Sequence, residues 1–435
     1  MKKIIVAGAG HGGLVAAYHL AKSGYDVTVY EALKRKDMGH DWHDWMEYSA
    51  FDDADLPRPD EDMIYTPEDQ CFRNPKGNIR LNFPHPDISI MMDRKELINY
   101  LISLAEEAGA KLEFETMIEG PITEGKAVKG LYLRKKGKLS EVTGDLVIDA
   151  AGMYSPVRSK LPATFGIDNE IDKRNIFHAY RAYFENTTGE YDTPKYQINL
   201  FHMYRPGIDW IITKEDYIDI LIGKFSQAGE LTQKEIDDAI AAFKKDYPYL
   251  GDKIVRGGRL ENIPISRMLP MIVADGYAAI GNSAGMTVPL NGSGIVLSMK
   301  AGKILADTVK GANAFKREFL WKYEYEYFTR LGKDLVMIDI IKNLFTYVKG
   351  DVVDYLLEKG ILTPDLIAIA DGAPLNLTPD YVIHLIKVSP PLVKLIPAVA
   401  KSVKTLPLVP SICAKIPETY DEAKVNKWIK MYRSL

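Results

Sequence analysis

Gly8-Ala9-Gly10-His11-Gly12-Gly13 follows a β-branched run, Ile4 to Ala7, and precedes an apolar-periodic stretch from Leu14 to Lys22. Glycines at this spacing between a strand and a helix suit a phosphate-binding turn. Gly8 permits the tight turn, Gly10 lets the backbone approach a pyrophosphate, and Gly13 lets helix and strand pack closely, with the helix N-terminus stabilising the phosphate charge. A second strand, Asp26 to Tyr30, leads to Glu31, placed where a carboxylate accepts hydrogen bonds from adenosine ribose hydroxyls. These residues predict a bound dinucleotide without separating FAD from NAD.

Two later segments repeat the form of strand, glycine-rich loop and helix. Asp145 to Asp149 runs into Ala150-Ala151-Gly152, and Gly276 to Ile280 runs into Gly281-Asn282-Ser283-Ala284-Gly285 through Gly292, Gly294 and Ile295, followed by a helix from Val296 to Val309. Each places backbone N–H groups at a strand C-terminus, where α/β sheets bind ligands. Together with the first motif they resemble the flavoprotein group that includes p-hydroxybenzoate hydroxylase, flavin-dependent halogenases and geranylgeranyl reductases. The last loop of that group reads roughly GD-A-A-G-x-x-x-P-x-x-G-x-G-I, and Gly281, Ala284, Gly285, Pro289, Gly292, Gly294 and Ile295 match it.

The resemblance implies non-covalent FAD as the cofactor. It sets Gly294 and Ile295 against the isoalloxazine ring and the loop's acid position on the ribityl chain. That position is Asn282 here, whose amide still accepts from a hydroxyl. Arg94, in Asp93-Arg94-Lys95-Glu96-Leu97 at the start of an amphipathic helix, resembles the group's clamp on the pyrophosphate, a task suited to a bidentate guanidinium. Met117 matches the position whose backbone contacts the adenine side, just after the following strand.

Departures from the group pattern point to a branch. Aromatic hydroxylases carry a DG pair where this chain has Ala151-Gly152, which leaves the DAxG form of geranylgeranyl reductases. No second GxGxxG occurs later. The reductases' Y-x-W-x-F-P-x-G stretch is reduced to Trp210, within Ile208 to Glu215, either a pocket wall or a packed sheet aromatic. Where the group has a Cys-Gly pair on a loop facing the flavin, this chain has Gly39-His40-Asp41-Trp42-His43-Asp44-Trp45. His43, Asp44 and Trp45 therefore become candidates for substrate binding or proton delivery, with a helix start bearing exposed charges as the other reading. The His and Asp types also suit a metal, but one short cluster does not supply four converging ligands, and no metal site is assigned.

These residues need a scaffold of Rossmann type, and the expected fold class is α/β. An FAD-binding domain is expected from residues 1–40, 88–163 and 258–310, with an antiparallel-sheet substrate domain inserted as 41–87 and 164–257. Its strands are expected near Ile176 to Phe184, Gln197 to Tyr204, Trp210 to Thr213 and Tyr217 to Lys224. A helical region, 311–435, completes the chain. There, Leu392, Leu395, Ile396, Val399, Val403 and Leu406 share one helical face with Lys394 and Lys401 opposite, which suits either a core helix or peripheral contact with a membrane.

Composition narrows the partners. A formal net charge of -4 with no dense basic block argues against nucleic acid, and Cys71 and Cys413 are too few and too far apart for a disulfide framework. Redox chemistry must then reside in a cofactor. No apolar run reaches membrane-spanning length, and the expected location is cytoplasmic. The expected function is FAD-dependent reduction of C=C bonds in a hydrophobic, isoprenoid or lipid-like substrate, with hydride from flavin N5 and a proton from an acid. By resemblance the electron donor is a ferredoxin-type protein or NAD(P)H. The rival is a flavin-dependent monooxygenase hydroxylating a small aromatic molecule.

Overall fold

The computed structural model describes residues 1–83, 89–346, 348–363, 387 and 404–435. The stripe expected over residues 392–403, and with it the membrane-contact reading, lies outside them. Among the described residues, no helix is long and apolar enough to cross a membrane.

A six-stranded sheet carries the three glycine-rich turns. Its order is Val273–Ala274, Tyr277–Ala279, Leu146–Asp149, Lys3–Ala7, Asp26–Tyr30, Lys111–Glu113, parallel throughout except at the first pair. Its strands are near-continuous apolar runs, as burial of both sheet faces requires. In the register, Ala7 lies beside Asp149 and Asp149 beside Ala279. The turns after residues 7, 149 and 279 therefore emerge side by side at one edge.

Two helices complete that edge. His11–Lys22 and Ile295–Val309 cross where neither backbone carries a side chain: a Cβ on Gly302 would sit 2.4 Å from the Gly12 carbonyl oxygen, and one on Gly12 would sit 2.5 Å from that of Ser298. This close approach brings both helix N-termini to the same place. The C-terminal helices Arg317–Tyr327 and Glu422–Ser434 join the same core through Trp321 and Trp428.

A seven-stranded sheet forms the second layer system, in the order Leu250–Pro264, Ile176–Asn186, Tyr217–Phe225, Ile208–Thr213, Tyr196–Leu200, Gln70–Arg73, Arg80–Phe83. It is antiparallel except where Tyr196–Leu200 runs parallel to Gln70–Arg73. The strand expected to reach Tyr204 stops at Leu200, because Phe201, Met203 and Tyr204 take left-handed backbone angles that end the pleat. One face is covered by the helix Gln233–Asp246, capped by a reciprocal Thr232–Glu235 box and packed through Ile236, Ala239 and Phe243. The other face bears Phe72, Ile198, Trp210, Leu221 and Arg181 in one cross-strand row. A three-stranded meander, Thr116–Glu124, Ala127–Lys135 and Lys138–Thr143, flanks the first sheet.

Candidate active site

The turn after Lys3–Ala7 has the shape its glycines predict. Gly8 has φ +92°, and a Cβ there would meet the Ala150 carbonyl oxygen at 2.6 Å. Gly13 is excluded from carrying a side chain by Ala150 Cβ at 2.7 Å and Gly8 O at 2.9 Å. Gly10 caps His11–Lys22 with no side-chain hydrogen bond and no acid in the first turn, so the helix N-terminus keeps its N–H donors and positive end for an anion. Ile295–Val309 starts in the same way at Gly294.

At the far end, the Ala9 and Leu33 N–H groups each donate to Glu31 at 2.9 Å. The Glu31 carboxylate is thereby held at the end of the second strand with lone pairs to spare. Thr116 N–H donates to the Glu31 carbonyl, which sets Met117 beside it. Met117 follows the strand Lys111–Glu113, as expected, near the start of the meander, and it lines an open cavity of about 400 Å³ with Leu33, Lys34 and Arg134. At the near end, Gly152 and the Gly281–Ala284 turn stand on neighbouring strands. A Cβ on Gly294 would lie 3.6 Å from Asn282 Oδ1, so the two ends of that loop meet. These glycines, two uncapped helix ends and the carboxylate fit an extended dinucleotide.

His40 to Trp45 departs from the expected loop or helix start. His43–Glu47 is a strand paired with Ser89–Asp93, and its alternation drives successive side chains to opposite faces. Asp44 receives both Nε and Nη2 of Arg94. Burial alone would push the Asp44 carboxyl up, but the guanidinium of Arg94, aided by Arg181, holds it below the usual carboxylate range. Held as an anion, Asp44 is placed to orient the Arg94 guanidinium. Arg94 also lies over the Trp42 ring at 5.1 Å. His11, between the phosphate turn and this pair, is driven down to about 3 first by burial and then by Arg94, and stays neutral.

His43 is lowered by burial and by Arg256, so it too is neutral near pH 7. Its backbone N–H donates to Tyr183 Oη at 2.9 Å, and its ring packs between Tyr65, Tyr183 and Tyr217. Trp45 and Trp210 both pack on Tyr196, at 6.1 and 5.9 Å, and with Phe72, Ile198 and Ile212 they form one apolar wall. Arg181, bidentate to Asp219 and donating to the His43 carbonyl, closes the wall beneath Trp42 and Trp210. Sequence reasoning missed the Arg181–Asp219 pair and Tyr183. Their one legible signal was charge within otherwise apolar strands. Among the described residues, no three His, Cys, Asp or Glu side chains converge as a metal requires.

Comparison with known proteins follows this geometry. The description "NAD(P)-binding Rossmann-like domain" matches residues 6–47 and "FAD binding domain" matches residues 60–192. The chain is similar to the digeranylgeranylglycerophospholipid reductases of Methanocella arvoryzae, at 25% identity over 81% of this chain and 89% of the relative, and Methanosarcina acetivorans, at 27% over 82% and 87%. Its fold is similar to that of a geranylgeranyl bacteriochlorophyll reductase-like protein from Thermoplasma acidophilum, with TM-score 0.75 at 19% identity over 89% of this chain and 99% of that one. The matched domains and these relatives support an FAD-dependent oxidoreductase similar to the geranylgeranyl reductases. The Rossmann-like match over residues 6–47 takes in the phosphate turn and Trp45.

Proposed function

We propose that this flavoprotein reduces C=C bonds in the isoprenoid chain of a lipid. The reading is carried by the reductase relatives, which match over four fifths of this chain, and it is supported by the apolar wall around Trp45, Tyr196 and Trp210. Bound FAD would supply the hydride chemistry. The chain's own residues hold it: Gly8, Gly10, Gly13 and Arg94 at the pyrophosphate, Glu31 and Met117 at the adenosine, Gly152, Gly281, Asn282, Gly294 and Ile295 at the flavin. Trp45, Phe72, Tyr196, Ile198 and Trp210 would align an apolar chain and exclude water, which favours orientation over solvolysis. With Asp44 ionised, the proton for the second carbon is assigned to phenols. Tyr183 is held far above its usual range by burial, and Tyr217 is pushed up to about 12, so both oxygens stay protonated. The electron donor is proposed to be a small redox protein or NAD(P)H.

The test is anaerobic. Chemically reduced enzyme mixed with a lipid bearing unsaturated isoprenoid chains should reoxidise and give product with two hydrogens added. Conversion that requires oxygen and adds one oxygen atom instead would assign the monooxygenase chemistry.

A further inference from the structure

Asp149 is fully buried, yet among the described residues no cation side chain is bonded to it. Its carboxylate is satisfied by neutral donors. Ala151 N–H (3.1 Å) and Ser283 Oγ–H (3.0 Å) reach Oδ1, while Ser155 Oγ–H (2.6 Å), Arg158 N–H (3.2 Å) and Tyr277 Oη–H (2.9 Å) reach Oδ2. The donors come from three places: the loop after its own strand, the neighbouring strand, and the Gly281–Ala284 turn. Ser283 Oγ also lies 3.0 Å from the Gly152 carbonyl. The Arg158 guanidinium, equally buried, donates to the carbonyls of Met153 and Ser283, one in each loop.

A buried charge costs several kcal/mol unless donors surround it, so this arrangement has only one low-energy geometry. Any shift of one loop against the other would strip a donor from the carboxylate or a carbonyl from Arg158. Gly152 and Asn282, assigned above to the flavin, flank the bonded residues directly in sequence or space. We propose that Asp149 is a positioning residue: it fixes the register between the two flavin loops, and through Ser283 it sets how tightly and at what potential the flavin is held. This rests on the flavin assignment above.

Two substitutions of the same carboxylate's donors separate positioning from plain core stability. Ser283→Ala removes the donor on the second loop, whereas Tyr277→Phe removes one carried by the strand Tyr277–Ala279, outside both loops. Each deletes one hydrogen bond to a charged group, so the apoproteins should lose stability to a similar degree. Titration of each full-length apoprotein with FAD, followed by flavin fluorescence and midpoint potential, is the assay. Ser283→Ala should weaken FAD about tenfold or more and shift the potential, while Tyr277→Phe stays within about twofold of wild type. Equal effects of both variants on FAD, or no effect of Ser283→Ala, would reduce Asp149 to a core residue and overturn the proposal. Wild-type protein that takes up no FAD would instead overturn the flavin assignment and this proposal together.

Discussion

Asp44→Asn tests whether the carboxylate anchors Arg94 or delivers a proton. Asp44 and Arg94 side chains are 12% and 19% exposed and joined by two hydrogen bonds. Removing one partner of a buried pair costs about 3–5 kcal/mol. The Asn oxygen preserves one of the two bonds and both groups retain some solvent, so the expected loss is about 2 kcal/mol. The sign with pH follows from the lowered carboxyl. Stability from an acid whose folded pKa is depressed is complete above the ordinary carboxylate value of about 4 and is lost as pH falls through the depressed one. Urea unfolding of wild type and variant should therefore differ by a constant amount from about pH 5 to 8 and converge only as pH falls through the depressed value. Flavin content should fall with the stability, because Arg94 loses its fixed orientation. A variant as stable as wild type, with full flavin content and a slowed alkene step, would refute this reasoning and restore Asp44 as the acid.

Gly10→Leu should abolish flavin uptake while the protein still folds, since its Cβ meets only Ala150 O at 3.3 Å; absorbance and circular dichroism read the two outcomes. Gly12→Ala should do the reverse and destabilise the fold by about 1–3 kcal/mol, read by urea unfolding, because its Cβ would lie 2.4 Å from Ile280 Cγ2 and 2.5 Å from Ser298 O. Asn282→Asp should retain FAD and lower its midpoint potential by on the order of tens of millivolts, as added negative charge disfavours the reduced flavin; an unchanged potential places residue 282 away from the ring. Glu324 is fully buried, with one oxygen accepting Ile272 N–H and the other without a partner among the described residues, and burial raises it to about 8. The folded state thus holds an extra proton between the usual glutamate value and about 8, and stability is lost as pH rises through that window. Glu324→Gln should flatten this slope in urea titrations at pH 6 and 8.5, gaining several kcal/mol on wild type at the higher pH.

The glycine-rich turns were legible in the amino-acid order because each is local. A phosphate turn needs three glycines within six residues, a strand before and a helix after, and Gly8 to Lys22 carries all of it in one continuous stretch. Glu31 and the Gly281–Ile295 loop were legible for the same reason: turn chemistry and apolar runs are set by neighbours in the chain. Helix Arg94–Glu107 began where Asp93 could cap it, as its side chain does by accepting from Lys95 and Glu96 N–H.

What required the tertiary structure was every property that depends on partners distant in sequence. The residues from His43 to Trp45 read as a loop or helix start because a short charged segment has no intrinsic strand signal; pairing with Ser89–Asp93 made them a strand. Asp44 read as an acid until Arg94, 50 residues away, was placed against it and held it ionised. Trp210 alone could be a wall or a core aromatic, and only the cross-strand register with Ile198 and Leu221 gave it neighbours. Asp149 looked like the end of an apolar strand, and its five donors come from as far as Ser283. Backbone conformation follows from nearby residues, whereas the charge state of a side chain follows from the dielectric and the partners that folding brings around it.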